Sequence, residues 1–174
     1  SLYNKEAFQF PPPMLDAENS CFAKISDTKP GRMYLGITTA VKGSAKWILQ
    51  ATCASLLQSS EDKLFEIKKD DTYKTLVGYF NSLRELGGAF VLMTDDVDKT
   101  IEKFSQRRKE EKRKTKEPQE LTSRRLSSEI PVILEMLNNK STEEDFVDIL
   151  LATNMLSVGV DIPRLGLMVV NGQP

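Results

Sequence analysis

The sequence has no histidine. This excludes Ser-His-Asp and Cys-His catalysis and most transition-metal sites. Its two cysteines, Cys21 and Cys53, are too far apart for a zinc pattern. Cys53 lies in an apolar helical stretch and reads as a small core residue. No apolar run reaches the roughly 18 residues that a membrane-spanning helix needs. No signal segment is visible, so the expected setting is the cytoplasm without membrane contact. Asn139-Lys140-Ser141 fits a glycosylation sequon, which has no meaning in that compartment. Charge of either sign is not in excess. The net charge is -1, so any nucleic-acid site must be local. A phosphate-cradling loop is missing as well. Gly-x4-Gly-Lys-Ser/Thr does not occur, and Lys42-Gly43-Ser44 is a poor substitute, so the chain alone is not expected to hold a triphosphate.

What is present suits one ordinary domain. The 174 residues are 40% hydrophobic and 28% charged, enough to bury a core and stay ordered. Residues 1–30 are weakly patterned. Pro11-Pro12-Pro13 is stiff and extended, and Lys29-Pro30-Gly31 is a turn, so this stretch reads as a linker or arm. The domain proper is placed at 31–174. Its stop just after the apolar run Leu165 to Val170 suggests a piece of a longer protein.

Along that domain, short apolar runs alternate with amphipathic stretches. Met33 to Ile37 is a strand candidate. Residues 44–58 read as a helix with Trp47, Ile48, Ala51, Ala54, Leu56 and Leu57 apolar, and Trp47 is expected in the core. Lys74 to Phe80 reads as a buried strand. Asn81-Ser82 caps a helix that Gly87-Gly88 ends. Ala89 to Met93 is a second strand candidate. Thr94-Asp95-Asp96 then opens a helix with Val97, Ile101 and Phe104 on one face. The Asp95-Asp96 pair reads as helix N-terminal acid rather than a metal site. Arg107 to Glu117 is a charged tract with seven basic and three acidic residues. It could follow a polyanion, or be a solvated helix end or loop. Pro118 breaks it. Glu120 to Ser123 is a strand end, and Ser127 or Ser128 caps a helix bearing Ile130, Leu134 and Leu137. Ser141 to Glu144 is a capping-box pattern over a brief turn. Val147 to Ala152 and Leu167 to Val170 are buried strands.

Continuous apolar strands alternating with helices predict an α/β fold of three layers with a mainly parallel sheet. Such sheets bind ligands at the carboxyl ends of their strands. Three ends carry polar groups: Asn81, Ser82 and Arg84; Thr122, Ser123 and Arg124; Thr153 and Asn154. Small hydroxyls, amides and an arginine suit phosphate oxygens and read no base. The same hydroxyls also cap helices.

Ala152-Thr153-Asn154-Met-Leu-Ser-Val-Gly159-Val-Asp161-Ile-Pro163 resembles motif V of superfamily 2 helicases, where Ala-Thr-Asp precedes Gly-x-Asp-Ile-Pro. Leu76-Val-Gly-Tyr-Phe-Asn-Ser-Leu-Arg84 is similar to motif IV. Leu121-Thr-Ser-Arg124 and the helix after it resemble the segment before motif V. These matches cover residues 74–174. Asn154 stands where Asp is frequent, and Ser157-Val158 where many members carry Ala-Arg. The arginine-bearing motif VI would follow the last strand. Large bacterial helicases of phage-defence or restriction-type systems are the nearest pattern.

The resemblance implies a RecA-like fold of the P-loop NTPase type: the C-terminal domain of a helicase or translocase, reaching to just before motif VI. ATP and Mg2+ would bind in the parent protein, against an N-terminal RecA-like domain of the same chain, and not to this fragment alone. Gly159 and Asp161 would face the ATP cleft. Asn81, Ser82, Thr122, Ser123, Thr153 and Asn154 would lie on the nucleic-acid track, with DNA placed ahead of RNA. The fragment would carry no catalytic residue. The other reading is a degenerate RecA-like platform that binds nucleic acid or protein without catalysis. An unrelated nucleotide-binding enzyme would need a glycine-rich turn at residues 31–46.

Overall fold

The computed structural model describes residues 31–38, 43–61, 71–153 and 162–172. Backbone contacts divide the chain into Ser1–Ile37 and Thr38–Pro174. In the first unit, residues 31–37 have no regular secondary structure, so the strand expected at Met33 to Ile37 does not form. Among the described residues of that unit no strand is present for it to pair with, and a lone strand leaves its backbone groups unsatisfied.

The second unit is built on a sheet of four strands in the order β2-β3-β1-β4. They are β1 (Leu76–Phe80), β2 (Gln119–Leu121), β3 (Ile149–Ala152) and β4 (Leu167–Asn171). Every pairing is parallel. β1 and β3 are central, and their residues are almost all buried. That explains why they read as unbroken apolar runs. Gly78 belongs in the middle of β1 for a steric reason. A Cβ there would stand 3.0 Å from both Leu151 Cδ2 and Phe80 Cε2.

Helices cover both faces. On one face, Leu76, Phe80, Ile149 and Leu151 meet Cys53, Ala54 and Leu57 of α1 (Ala45–Ser59). The same core takes Leu86 and Ala89 of α2 (Leu83–Val91), and Ile101 of α3 (Asp98–Arg108). On the other face, Val77, Leu121, Leu150 and Ala152 meet Ile133 of α4 (Glu129–Met136) and Leu137 just beyond it. The first crossover runs from β1 to β2 over one face, and the second returns from β2 to β3 over the other. Opposite directions on opposite faces give both the same hand, as parallel crossovers require. The result is an α/β fold consistent with a RecA-like domain.

Four local expectations are overturned. Gly87 and Gly88 do not end a helix, and Ala89 to Met93 is not a strand. Instead α2, a π-helical turn at Leu92–Val97, and α3 follow one another without a break. Nor does Thr94-Asp95-Asp96 open a helix, because it lies inside the π turn. Leu86, Ala89, Met93, Val97 and Ile101 recur at helical spacing and are all buried. That face outweighs the two glycines, each costing only about 1 kcal/mol relative to alanine. The π turn is held by Gln50 of α1, whose Nε2 donates to Asp96 O at 3.2 Å and to Thr100 Oγ1 at 2.8 Å. Trp47 is also not in the core. It sits in the first turn of α1, ahead of the buried stretch, and is 60% exposed.

Candidate nucleic-acid interface

Because all strands are parallel, their carboxyl ends share one edge of the sheet. Register places them closely. Leu121 pairs with Ala152, Ala152 with Tyr79, and Phe80 with Asn171. The next residues of each strand are therefore Thr122-Ser123, Thr153, Asn81-Ser82 and Gly172, side by side across the edge. The topology brings together segments distant in sequence. Asn154, Gly159 and Asp161 lie outside the described residues.

Local chemistry separates the candidates. Thr122 is fully buried and its hydroxyl is engaged twice. It donates to Glu120 Oε1 at 2.8 Å and accepts from the Arg124 N–H at 3.3 Å. The Ser82 hydroxyl caps α2, accepting from the Glu85 N–H at 3.2 Å. Thr153 is 8% exposed at the end of the most buried strand. Ser123, Asn81, Arg84 and Arg124 are exposed. Ser123 makes no side-chain hydrogen bond among the described residues and can turn fully toward a ligand.

Gly172 was not singled out by the sequence. It has φ of +82°, and a Cβ on it would stand 3.2 Å from Asn81 Nδ2. Glycine thus serves there both for its backbone and for the closeness of Asn81. The signal was a glycine one residue past an apolar strand.

Arg164 was missed too. It follows Asp161 by three residues and reaches the opposite, amino edge of the sheet. Its Nη1 donates to Thr75 Oγ1 at 2.9 Å, its Nε to Leu137 O, and its guanidinium lies 4.9 Å from the Phe146 ring centroid. Burial lowers its pKa, while Asp71 and Glu143 act in the other direction. Nearby, Asp71 accepts from the Ser141 N–H at 2.8 Å and hydroxyl at 2.7 Å. Partial burial pushes the Asp71 carboxyl up, but these bonds, with Arg164 and Lys74, draw it below the usual range.

The charged tract also lies away from the carboxyl edge. α3 ends at Lys109, which takes a left-handed cap, and the chain continues without regular secondary structure to β2. Arg113 is buried under the amino edge. Its guanidinium donates to Leu57 O at 3.1 Å, Lys74 O at 2.6 Å, Asp148 Oδ1 at 2.7 Å and the Ser60 hydroxyl. Its N–H donates to Gln58 Oε1 at 3.1 Å. Lys116 adds its N–H to Asp148 Oδ2 at 3.1 Å. A cleft of about 240 Å³ beside these groups is walled by the same ion pairs, so it is not the expected track. Among the described residues, no group of acidic, histidine or cysteine side chains could hold a metal ion, and no helix is long and apolar enough to cross a membrane.

No protein-family model matches the chain. The chain is similar to the DISARM protein DrmA. That protein, from Bacillus paralicheniformis, is 48% identical over 174 residues, covering 95% of this chain and 15% of the relative. The similarity to DrmA runs along nearly the whole of this chain, yet the chain spans only about 15% of DrmA's length.

Proposed function

We propose that this chain is the second motor domain of an ATP-dependent helicase or translocase, within a longer DrmA-like protein serving phage defence. The observation that carries this reading is the shared carboxyl edge. The strands that lead into three segments similar to superfamily 2 helicase motifs end there side by side, which supports a track for a nucleic-acid backbone. The DISARM name of the relative agrees with the phage-defence pattern.

In this reading Ser123, Asn81, Ser82, Thr122, Thr153 and Asn154 contact phosphates of one strand, DNA ahead of RNA. Gly159 and Asp161 face ATP held mainly by the preceding RecA-like domain of the parent. ATP with Mg2+ supplies in-line transfer of the γ-phosphoryl group to water, and the protein contributes positioning and charge. This chain provides one wall and no catalytic residue. The setting is the cytoplasm.

Alanine at both Asn81 and Ser123 in the full-length protein tests the track. Each lost hydrogen bond is worth about 1 kcal/mol. Affinity for DNA should therefore fall on the order of tenfold or more, with the fold retained by thermal melting. Wild-type affinity would overturn the placement.

A further inference from the structure

Lys109 and Lys114 apart, the basic residues of residues 98–117 fall into two sets. One set is spent inside the domain. Arg113 is buried, and Lys116 holds Asp148 and the carbonyls of Glu144 and Phe146. Arg108 donates to the hydroxyls of Ser55 and Ser59. Lys112 is the informative member. Its ammonium lies 2.8 Å from Asp98 and 3.9 Å from Glu102, and so engages both carboxylates of α3.

That leaves the other set unbalanced. Lys99, Lys103 and Arg107 are exposed at i, i+4 and i+8 on α3. None forms an ion pair among the described residues. Like charges at this spacing destabilise a helix by a few tenths of a kcal/mol each. Lys103 faces a like charge one turn to either side, although the last-turn dipole favours Arg107, and the two acids within α3, Asp98 and Glu102, lie toward Lys112 instead.

We propose that Lys99, Lys103 and Arg107 form a second contact for a nucleic-acid backbone, separate from the strand-end edge. The stripe is about 12 Å long at 1.5 Å per residue. Duplex DNA presents one charge per roughly 1.7 Å of axis, so several phosphates lie opposite it. A membrane surface fits less well. Interfacial helices need a free apolar face, and the apolar face of α3, with Ile101, is buried in the core. This inference rests on the proposed nucleic-acid motor.

The test is DNA binding by the full-length protein across a salt series, comparing wild type with K99A/K103A/R107A. All three sites are exposed, so folding should survive, and K99Q/K103Q/R107Q gives a second neutral set. Both variants should lower the slope of log affinity against log salt by about three. Between 50 and 200 mM salt, wild type should lose on the order of fortyfold more affinity than either variant. Wild-type slopes in both variants would overturn the inference and leave an acidic protein surface as the partner of the stripe. Failure of wild type itself to bind DNA would instead overturn the motor reading, and this inference with it.

Discussion

Arg113 shows how a residue in a charged tract can act as core. Its side chain is 2% exposed, and it joins α1, the start of β1 and Asp148 ahead of β3. Removing one member of such a buried pair strands the other charge at a cost of about 3–5 kcal/mol. Arg113→Ala should therefore lower unfolding free energy by that order, read from chemical denaturation. A loss below about 1 kcal/mol would mean that Asp148 is held by other donors. The sequence could not show this. Seven basic residues within one short tract look alike, and only the crossing of the amino edge buries one of them. Cys53 was legible, because a small apolar residue amid helical spacing has few places to go. It is fully buried, and burial pushes its thiol up to about 12, which leaves it unreactive near neutral pH. Trp47 was not legible, because a helix's apolar pattern does not say where its covering layer begins.

At the scale of elements, the strands were readable and the long helix was not. β1 and β3 are apolar runs covered on both faces, but β4, expected to be buried as well, is an edge strand whose alternate residues Met168 and Val170 are exposed. Ala89 to Met93 has the same composition but is helical, since its burial follows Leu86, Ala89, Met93 and Val97. Short apolar runs carry both readings, and tertiary packing chooses between them. Gly87 and Gly88 then sit in mid-helix with open space where a Cβ would be. Gly87→Ala and Gly88→Ala should each stabilise the chain by about 0.5–1 kcal/mol. Thermal melting reads this directly, and destabilisation by either would argue that α2 must yield at that point. The π turn is the opposite case. Gln50 meets its carbonyl across two helices, a pairing that no local pattern announces.

For the whole molecule, parallel topology turns scattered polar residues into one edge. That much of the candidate site was legible, since strand ends carry ligands in such sheets. What each hydroxyl does there was not. Thr122 and Ser82 are committed to their own loops, while Ser123 is free among the described residues. The central claim is that this edge and the segment after Thr153 form half of a nucleic-acid-driven ATPase. The most direct measurement is DNA-stimulated ATP hydrolysis by the full-length protein carrying Asp161→Ala. The account predicts a fall in stimulated turnover of roughly tenfold or more, as misplacement in a positioned site gives, with the fold intact by thermal melting. Stimulated hydrolysis at the wild-type rate would contradict it.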